Sequence, residues 1–399
     1  MPEYTTDPET LRAEVRAFLE ANWHDRIPET PMWEQRNAPL TEWKDRLLEA
    51  GYLVPTWPAE YGGRGYTPEL AQIIEDEFKA VGAPGSNEDK RSIPGNTILR
   101  FGSERLKKDL LRDAITGRAF FCLFYSEPGA GSDLAGVRTT AELTGGRWVF
   151  NGQKVWTSGA MTADYALCLA RTDWDAPKHR GLGYFVIPMR QPGIDVRPLH
   201  QITHESHFNE VFLTNAEAPA EYLVGEPGEG WRIIQTALAY ERSLMGEDRR
   251  VVRHPGVDVD DLIGLARRHG RLDDPVLRQE LASVIALREV NGLNNARAKA
   301  SLEPGTSSSV MSLGKLAMAH ILHGEGAVRT SILGAESVLT GEGNPEADTV
   351  NYEMFSAFVT SIGGGSNQIQ RNIIAERVLG LPKEQEADRD IPFREAKGN

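Results

Sequence analysis

At 399 residues, with 40% hydrophobic and 25% charged side chains, the chain carries enough apolar material for two or three packed units. Its 44 Lys+Arg against 57 Asp+Glu give a net charge of -13, which repels nucleic acid and anionic membrane surfaces. The two cysteines, Cys122 and Cys168, fall inside apolar strand-like runs and give no sign of a disulfide framework or a cysteine metal site.

The first residues, MPEYTTDPETLRAEVR, hold no basic stretch followed by an apolar one. No segment approaches the roughly 18 apolar residues of a membrane span, so an unsecreted, cytoplasmic chain is expected. Asp7 and Pro8 form a helix N-cap and first helical position, after which Leu11, Val15, Phe18 and Leu19 recur at helical spacing. A second helix is expected from Thr41 to Gly51. Thr67-Pro68-Glu69 starts another that carries Leu70, Ile73, Ile74 and Phe78, and Ser103-Glu104 starts one with Leu106, Leu110, Leu111 and Ile115.

From about residue 120 to 230 the pattern changes to short aromatic and β-branched runs broken by Gly, Asn, Pro and Asp, as in strands joined by turns. Residues 148–150, 155–156, 165–170, 184–187 and 211–213 are the clearest. Beyond Trp231 the helical period returns. Asp274-Pro275 caps a stretch through Leu277, Leu281, Ile285 and Leu287, and a further helix is expected over 310–335, as core or subunit interface. Residues 249–261 read as a charged loop.

Two motifs in the β region could carry chemistry. YSEPGAGSD, residues 125–133, follows the apolar run 120–124, so a strand exits into small residues with free N–H groups and hydroxyls. Glycine lets such a turn approach a flat heterocycle or a phosphate, although an ordinary strand-to-loop turn has the same composition. NGQKVWTS, residues 151–158, opens on Asn151-Gly152, a hairpin signal, and its strand presents Trp156 and Ser158 on one face. An indole beside a hydroxyl can stack on and bond a ring system, or it can be a core Trp.

Together the two motifs resemble the middle domain of acyl-CoA dehydrogenases. The resemblance extends to GYLVPTWPAEYGGRG at 51–65, EPGEGW at 226–231 and IGGGSNQIQRNIIAERVLGL at 362–381, in family order. It implies an α+β fold with an N-terminal all-α domain (1–119), a middle β-barrel-like domain (120–231) and a C-terminal four-helix bundle (232–399). It further implies FAD held by Tyr125, Ser126, Ser132, Trp156, Thr157, Ser158, Ser366 and Gln368. By the same resemblance Ser158 lies near flavin N5, Ser132 near the pyrophosphate or the CoA chain, and Ser366 and Gln368 on the far side of the ring.

Many family members carry the catalytic glutamate at the position of Gly364 here, and glycine cannot abstract a proton. A minority, similar to isovaleryl-CoA and long-chain acyl-CoA dehydrogenases, place it beside an arginine on the first helix of the third domain. Tyr240-Glu241-Arg242 matches that placement. The resemblance thus makes Glu241 the base and places Arg242 at the substrate, although by residue type alone the pair reads as a solvated helix pair. It implies oxidation of an acyl-CoA to the trans-2-enoyl thioester, with electrons passed to an electron-transferring flavoprotein. A non-catalytic or half-site subunit, and a flavin oxidase or monooxygenase, are the alternatives on the same scaffold.

Other signals lead elsewhere. His200, His204 and His207 lack a completing ligand set, so no metal is expected. Ser312 and Lys315 match S-x-x-K without its partner motifs, and Gly62, Gly63 and Gly65 do not form a Rossmann fingerprint. The family's Arg-x-x-Phe-Gly segment, which reaches FAD in a neighbouring subunit, reads ARRHGRLDDP here, from Ala266. A homotetramer, or a heterotetramer with a related chain, is expected.

Overall fold

The structure is a computed structural model that describes residues 4–24, 38–86, 88–245, 254, 257–300, 311–385 and 389–396. The chain divides into two compact units. The described residues of Met1–Leu199, Ser206–Tyr240 and Ala387–Asn399 form one, and those of His200–Glu205 and Glu241–Glu386 form the other.

The first unit opens with α1 (Pro8–Asn22), α2 (Ala38–Ala50), α3 (Pro68–Ala80), α4 (Ile93–Phe101) and α5 (Glu104–Thr116). Asp7, Thr67 and Ser103 cap as expected, their side chains accepting the N–H groups of Thr10, Leu70 and Leu106. α2 begins at Ala38 and not at Thr41, since Pro39 is tolerated in a first helical turn. α4 gave no apolar period because its buried residues include Gly95, Asn96 and Thr97. The Asn96 amide holds it down by donating to the carbonyls of Asp89 and Ser92, at 2.7 and 2.8 Å.

Eight strands follow: β1 (Phe121–Phe124), β2 (Thr140–Thr144), β3 (Arg147–Ser158), β4 (Tyr165–Arg171), β5 (Leu182–Pro188), β6 (Ile194–Pro198), β7 (Phe208–Pro219) and β8 (Leu223–Val224). They form one sheet in the order β6-β7-β3-β2-β4-β5-β8, with β1 parallel to β4. The unbroken apolar runs of β4 and β5 have a physical cause. Leu167, Leu169, Leu182, Tyr184 and Val186 enter the core shared with the helices, while Ala166, Cys168, Phe185 and Ile187 enter a second core on the other face. Burial pushes both thiols up, that of Cys168 to about 12, so neither is poised to react.

The hairpin reading of Asn151-Gly152 is corrected. The turn between β2 and β3 is Gly145-Gly146, both at positive φ (60° and 78°), and residues 151–152 lie inside β3 at a register shift. Gly152 is needed there because a Cβ would stand 2.7 Å from the Thr139 Cα.

The chain passes into the second unit within α6 (Gly230–Met245). Then come α7 (Leu262–Arg268), α8 (Pro275–Ala300), α9 (Met311–Leu333), α10 (Pro345–Ile362) and α11 (Asn367–Ile373). α7, α8, α9 and α10 share one apolar core, and α11 packs on α9. On α8 the buried stripe is Leu277, Leu281 and Val284, an i, i+4, i+7 row. Ile285 and Leu287, read from the sequence as part of that period, fall off the row and are exposed. Of the charged loop 249–261, only His254 and residues 257–261 lie within the described residues.

Candidate active site

The two β-domain motifs are stitched together by their backbones and one buried ion pair. The Val155 N–H donates to the Ser126 carbonyl at 3.0 Å, and the Thr157 hydroxyl to the Leu123 carbonyl at 3.4 Å. Lys154, 0% exposed, sends its ammonium to the Tyr125 and Leu169 carbonyls (3.2 and 2.8 Å) and to Glu127 Oε1 (2.8 Å). Glu127 also accepts the N–H groups of Arg138 and Thr139 at 2.7 and 2.9 Å. Burial alone would raise its pKa, but Lys154 and these donors outweigh burial and hold the carboxyl below its ordinary value. Sequence reasoning missed both residues. The signal was a Lys one position before the Val-Trp pair and a Glu inside an otherwise small-residue turn.

The same pairing decides which expected contacts face outward. The Tyr125 ring is buried, with its hydroxyl 2.6 Å from that of Tyr184, and Thr157 is buried as well. Ser132, Trp156 and Ser158 are exposed, and Ser126 is half-buried. A Cβ at Gly129 or Gly131 would meet nothing, so the turn leaves open space above its backbone.

Trp156 is the unusual residue. β3 pairs with β7 through Lys154–Val211 and then Thr157–Asn209, so a bulge falls between them. Within it Trp156 stands at φ 61°, a region that non-glycine residues seldom enter, with its indole 62% exposed. One edge meets the Phe208 ring at 6.1 Å, and Phe208 in turn meets His207 at 4.6 Å. A large aromatic held outward in an uncommon backbone conformation marks a site of function more than one of stability.

In the second unit Gly364 and Gly365 take φ values of 60° and 89°, and Ser366 caps α11 by accepting the Ile369 N–H at 3.3 Å. Gln368 is exposed. The turn is tied from inside the bundle by the fully buried Gln370, whose Nε2 donates to the Gly364 and Gly365 carbonyls at 3.2 and 3.4 Å. Lys315 Nζ, 2% exposed, donates to Gly365 O at 2.6 Å. The lysine of the S-x-x-K match is therefore a strut beneath this turn.

Burial pushes the Lys315 pKa down to about 8. Between about 8 and the ordinary lysine value near 10.4 the folded chain binds fewer protons here than the unfolded one, so stability rises with pH across that window. Urea unfolding at about pH 7 and about pH 10 is expected to show about 2.5 kcal/mol more of this rise in the wild type than in Lys315→Met. Equal slopes would remove the strut's charge from the account.

Glu241 and Arg242 lie on α6, near its C-terminal end, and their side chains lie outside the described residues. Just before them, Tyr240 belongs to the first unit, where burial raises its pKa against an opposing effect of Arg100. Arg268 and Arg271, the cations of the altered Arg-x-x-Phe-Gly region, pair with Glu346 and Asp274 at 3.0 and 2.9 Å.

Three family models match the chain in sequence order. The acyl-CoA dehydrogenase N-terminal domain covers residues 5–118, the middle domain 122–216 and the C-terminal domain 228–379. The chain is 36% identical over 392 residues to acyl-CoA dehydrogenase IpdE1 of Mycobacterium tuberculosis, covering 95% of this chain and 99% of that one. A solved structure described as the Tcur3481-Tcur3483 steroid ACAD superposes with a TM-score of 0.72 at 28% identity, over 96% of this chain and 100% of that one. The ChsE4-ChsE5 complex from Mycobacterium tuberculosis gives 0.67 at 28% identity, with the same coverage. The chain belongs to the acyl-CoA dehydrogenase family of oxidoreductases.

Proposed function

We propose that the chain carries out FAD-dependent α,β-dehydrogenation of an acyl-CoA thioester, with Glu241 as the base. The observation that supports this most is Trp156, projected at a bulge of β3, the strand bonded to the open glycine turn through Val155 and Ser126. An exposed indole, free hydroxyls at Ser132 and Ser158, and a turn with space above its glycines suit a flat, partly polar ring with a phosphate tail. Tyr125, Ser126, Ser132, Trp156, Thr157 and Ser158 would hold the flavin from the β domain, Tyr125 and Thr157 through main-chain groups because their side chains are buried. Ser366 and Gln368 would hold it from the glycine turn.

Bound FAD supplies the hydride acceptor. The chain's own part is to strip water from the acyl chain, hold the thioester, and take the α-proton on the Glu241 carboxylate. Arg242 would orient that carboxylate or the substrate. Electrons would leave through an electron-transferring flavoprotein. The name of the steroid relative favours a bulky, ring-bearing acyl group.

A second chain is part of this proposal. Leu287, Val290 and Leu293 on α8, and Phe358 and Ile362 on α10, are exposed apolar residues on two helices. A tetramer would cover them, and the ChsE4-ChsE5 complex makes a related but different chain a candidate partner alongside a second copy. In that case FAD retention needs co-expression. The direct test is an anaerobic titration of the purified flavoprotein with straight, branched and steroid-derived CoA esters. Flavin bleaching that is strongest with the steroid-derived esters is expected. Bound flavin that no acyl-CoA bleaches would defeat the assignment.

A further inference from the structure

The last described stretch, 389–396, belongs to the first unit and docks on the loop between β4 and β5. Pro392 bridges to Pro177, the Phe393 N–H donates to the Ala176 carbonyl at 3.0 Å, and the Arg394 N–H donates to that of Trp174 at 3.1 Å. Arg394 also pairs with Asp175, Nε to Oδ1 at 2.6 Å, at a solvent-exposed position where such pairs add little. Ordering this segment costs conformational entropy, and the only large apolar burial that offsets it among its described residues is the Phe393 side chain, 4% exposed.

What that ring covers is a cation. The Arg171 Cζ lies 3.6 Å from the Phe393 ring centroid, and Arg171 is 1% exposed. Its Nη2 donates to Ala135 O at 2.6 Å, Nε to Val137 O at 3.3 Å and Nη1 to Lys178 O at 2.9 Å. Ala135 and Val137 close the turn that starts at Ser126. Within the same turn Asp133 Oδ2 accepts from Lys178 Nζ at 2.5 Å, and Lys178 stands on the loop that residues 392–394 clip. The turn is therefore anchored at its near end by Lys154 and Glu127, and at its far end by Arg171 under the Phe393 ring, next to the Arg138 and Thr139 N–H groups that Glu127 accepts.

We propose that Phe393 and Arg171 are positioning residues: residues 392–394 strap the 126–137 turn and so set its affinity for the flavin. The inference rests on the functional reading given above. Between the two anchors lie Gly129 and Gly131, at each of which an added Cβ would meet no atom within 4 Å, flanking the buried Ala130 that bridges back to Glu127. Remove the ring and water reaches the Arg171 guanidinium and the three carbonyls it binds, two of them in the turn. Water then satisfies those groups in any of several turn conformations, of which few bind ligand, and apparent affinity falls by the fraction that remains competent.

Hydrogen exchange of the apo-protein and FAD titration by fluorescence quenching test this together. In Phe393→Ala, and in a chain ending at Asp390, exchange should quicken over residues 134–139 with α1 and α3 unchanged. FAD Kd should rise about tenfold, the scale of one desolvated cation–ring contact. Phe393→Tyr should restore both readings, and Arg394→Ala should change neither. Unaltered exchange or unaltered Kd in Phe393→Ala overturns the strap, as does an equal effect from Arg394→Ala. A wild-type protein that takes up no FAD either alone or co-expressed with a related chain defeats the flavin reading instead, and that result is seen before any variant is compared.

Discussion

Glu241→Gln is expected to slow flavin bleaching by a bound acyl-CoA by about a hundredfold to ten-thousandfold, while FAD stays bound and the acyl-CoA Kd changes little. Glutamine keeps the shape and hydrogen-bonding reach of glutamate but cannot hold a proton at neutral pH. The loss should therefore fall on the chemical step and not on binding. A carboxylate at position 364 is no substitute in this chain: that residue is glycine, and its φ of 60° is one that a side-chain-bearing residue enters at a cost of about 1–2 kcal/mol. Anaerobic stopped-flow mixing with the ester that bleaches the wild type most strongly makes the measurement. If Glu241→Gln bleaches at the wild-type rate, the base lies elsewhere and the role assigned to α6 is lost.

What the sequence revealed follows from how local each signal is. The caps at Asp7, Thr67 and Ser103 were legible because a cap is complete within one turn, side chain to N–H three residues on. The strands β4 and β5 were legible because both faces are buried and leave an unbroken apolar run. Asn151-Gly152 misled because the dipeptide fits a turn, while the real turn needed positive φ at two successive residues and took Gly145-Gly146. The bulge at Trp156 is a matter of pairing between β3 and β7, which no single strand's sequence discloses. Lys154 with Glu127, Arg171 with Phe393, and Lys315 with Gly365 were hidden for the same reason, since each joins residues far apart in the chain. The site was therefore legible as motifs, and the framework that holds the motifs in place was not.

That framework predicts the largest loss of stability. Lys154→Met is expected to cost about 3–5 kcal/mol in urea unfolding, because it leaves the Glu127 carboxylate buried without its cation. It should also release FAD, since the ammonium ties the Tyr125 carbonyl, Glu127 and the β4 backbone at Leu169 together. Adding Glu127→Gln to Lys154→Met should recover part of the stability, because the stranded charge is then gone. The recovery measures the coupling of the pair, and strictly additive losses would mean that the two residues act independently. Acid gives a second reading of the same pair. The Glu127 pKa is lowered in the folded chain, so its contribution is complete above the ordinary glutamate value of about 4.3 and is lost as pH falls through the lower folded value. Glu127→Gln should therefore remove a part of the acid sensitivity that the wild type shows below about pH 4.3. An acid limb identical in the two proteins would mean that the carboxylate is not held by its lysine in solution.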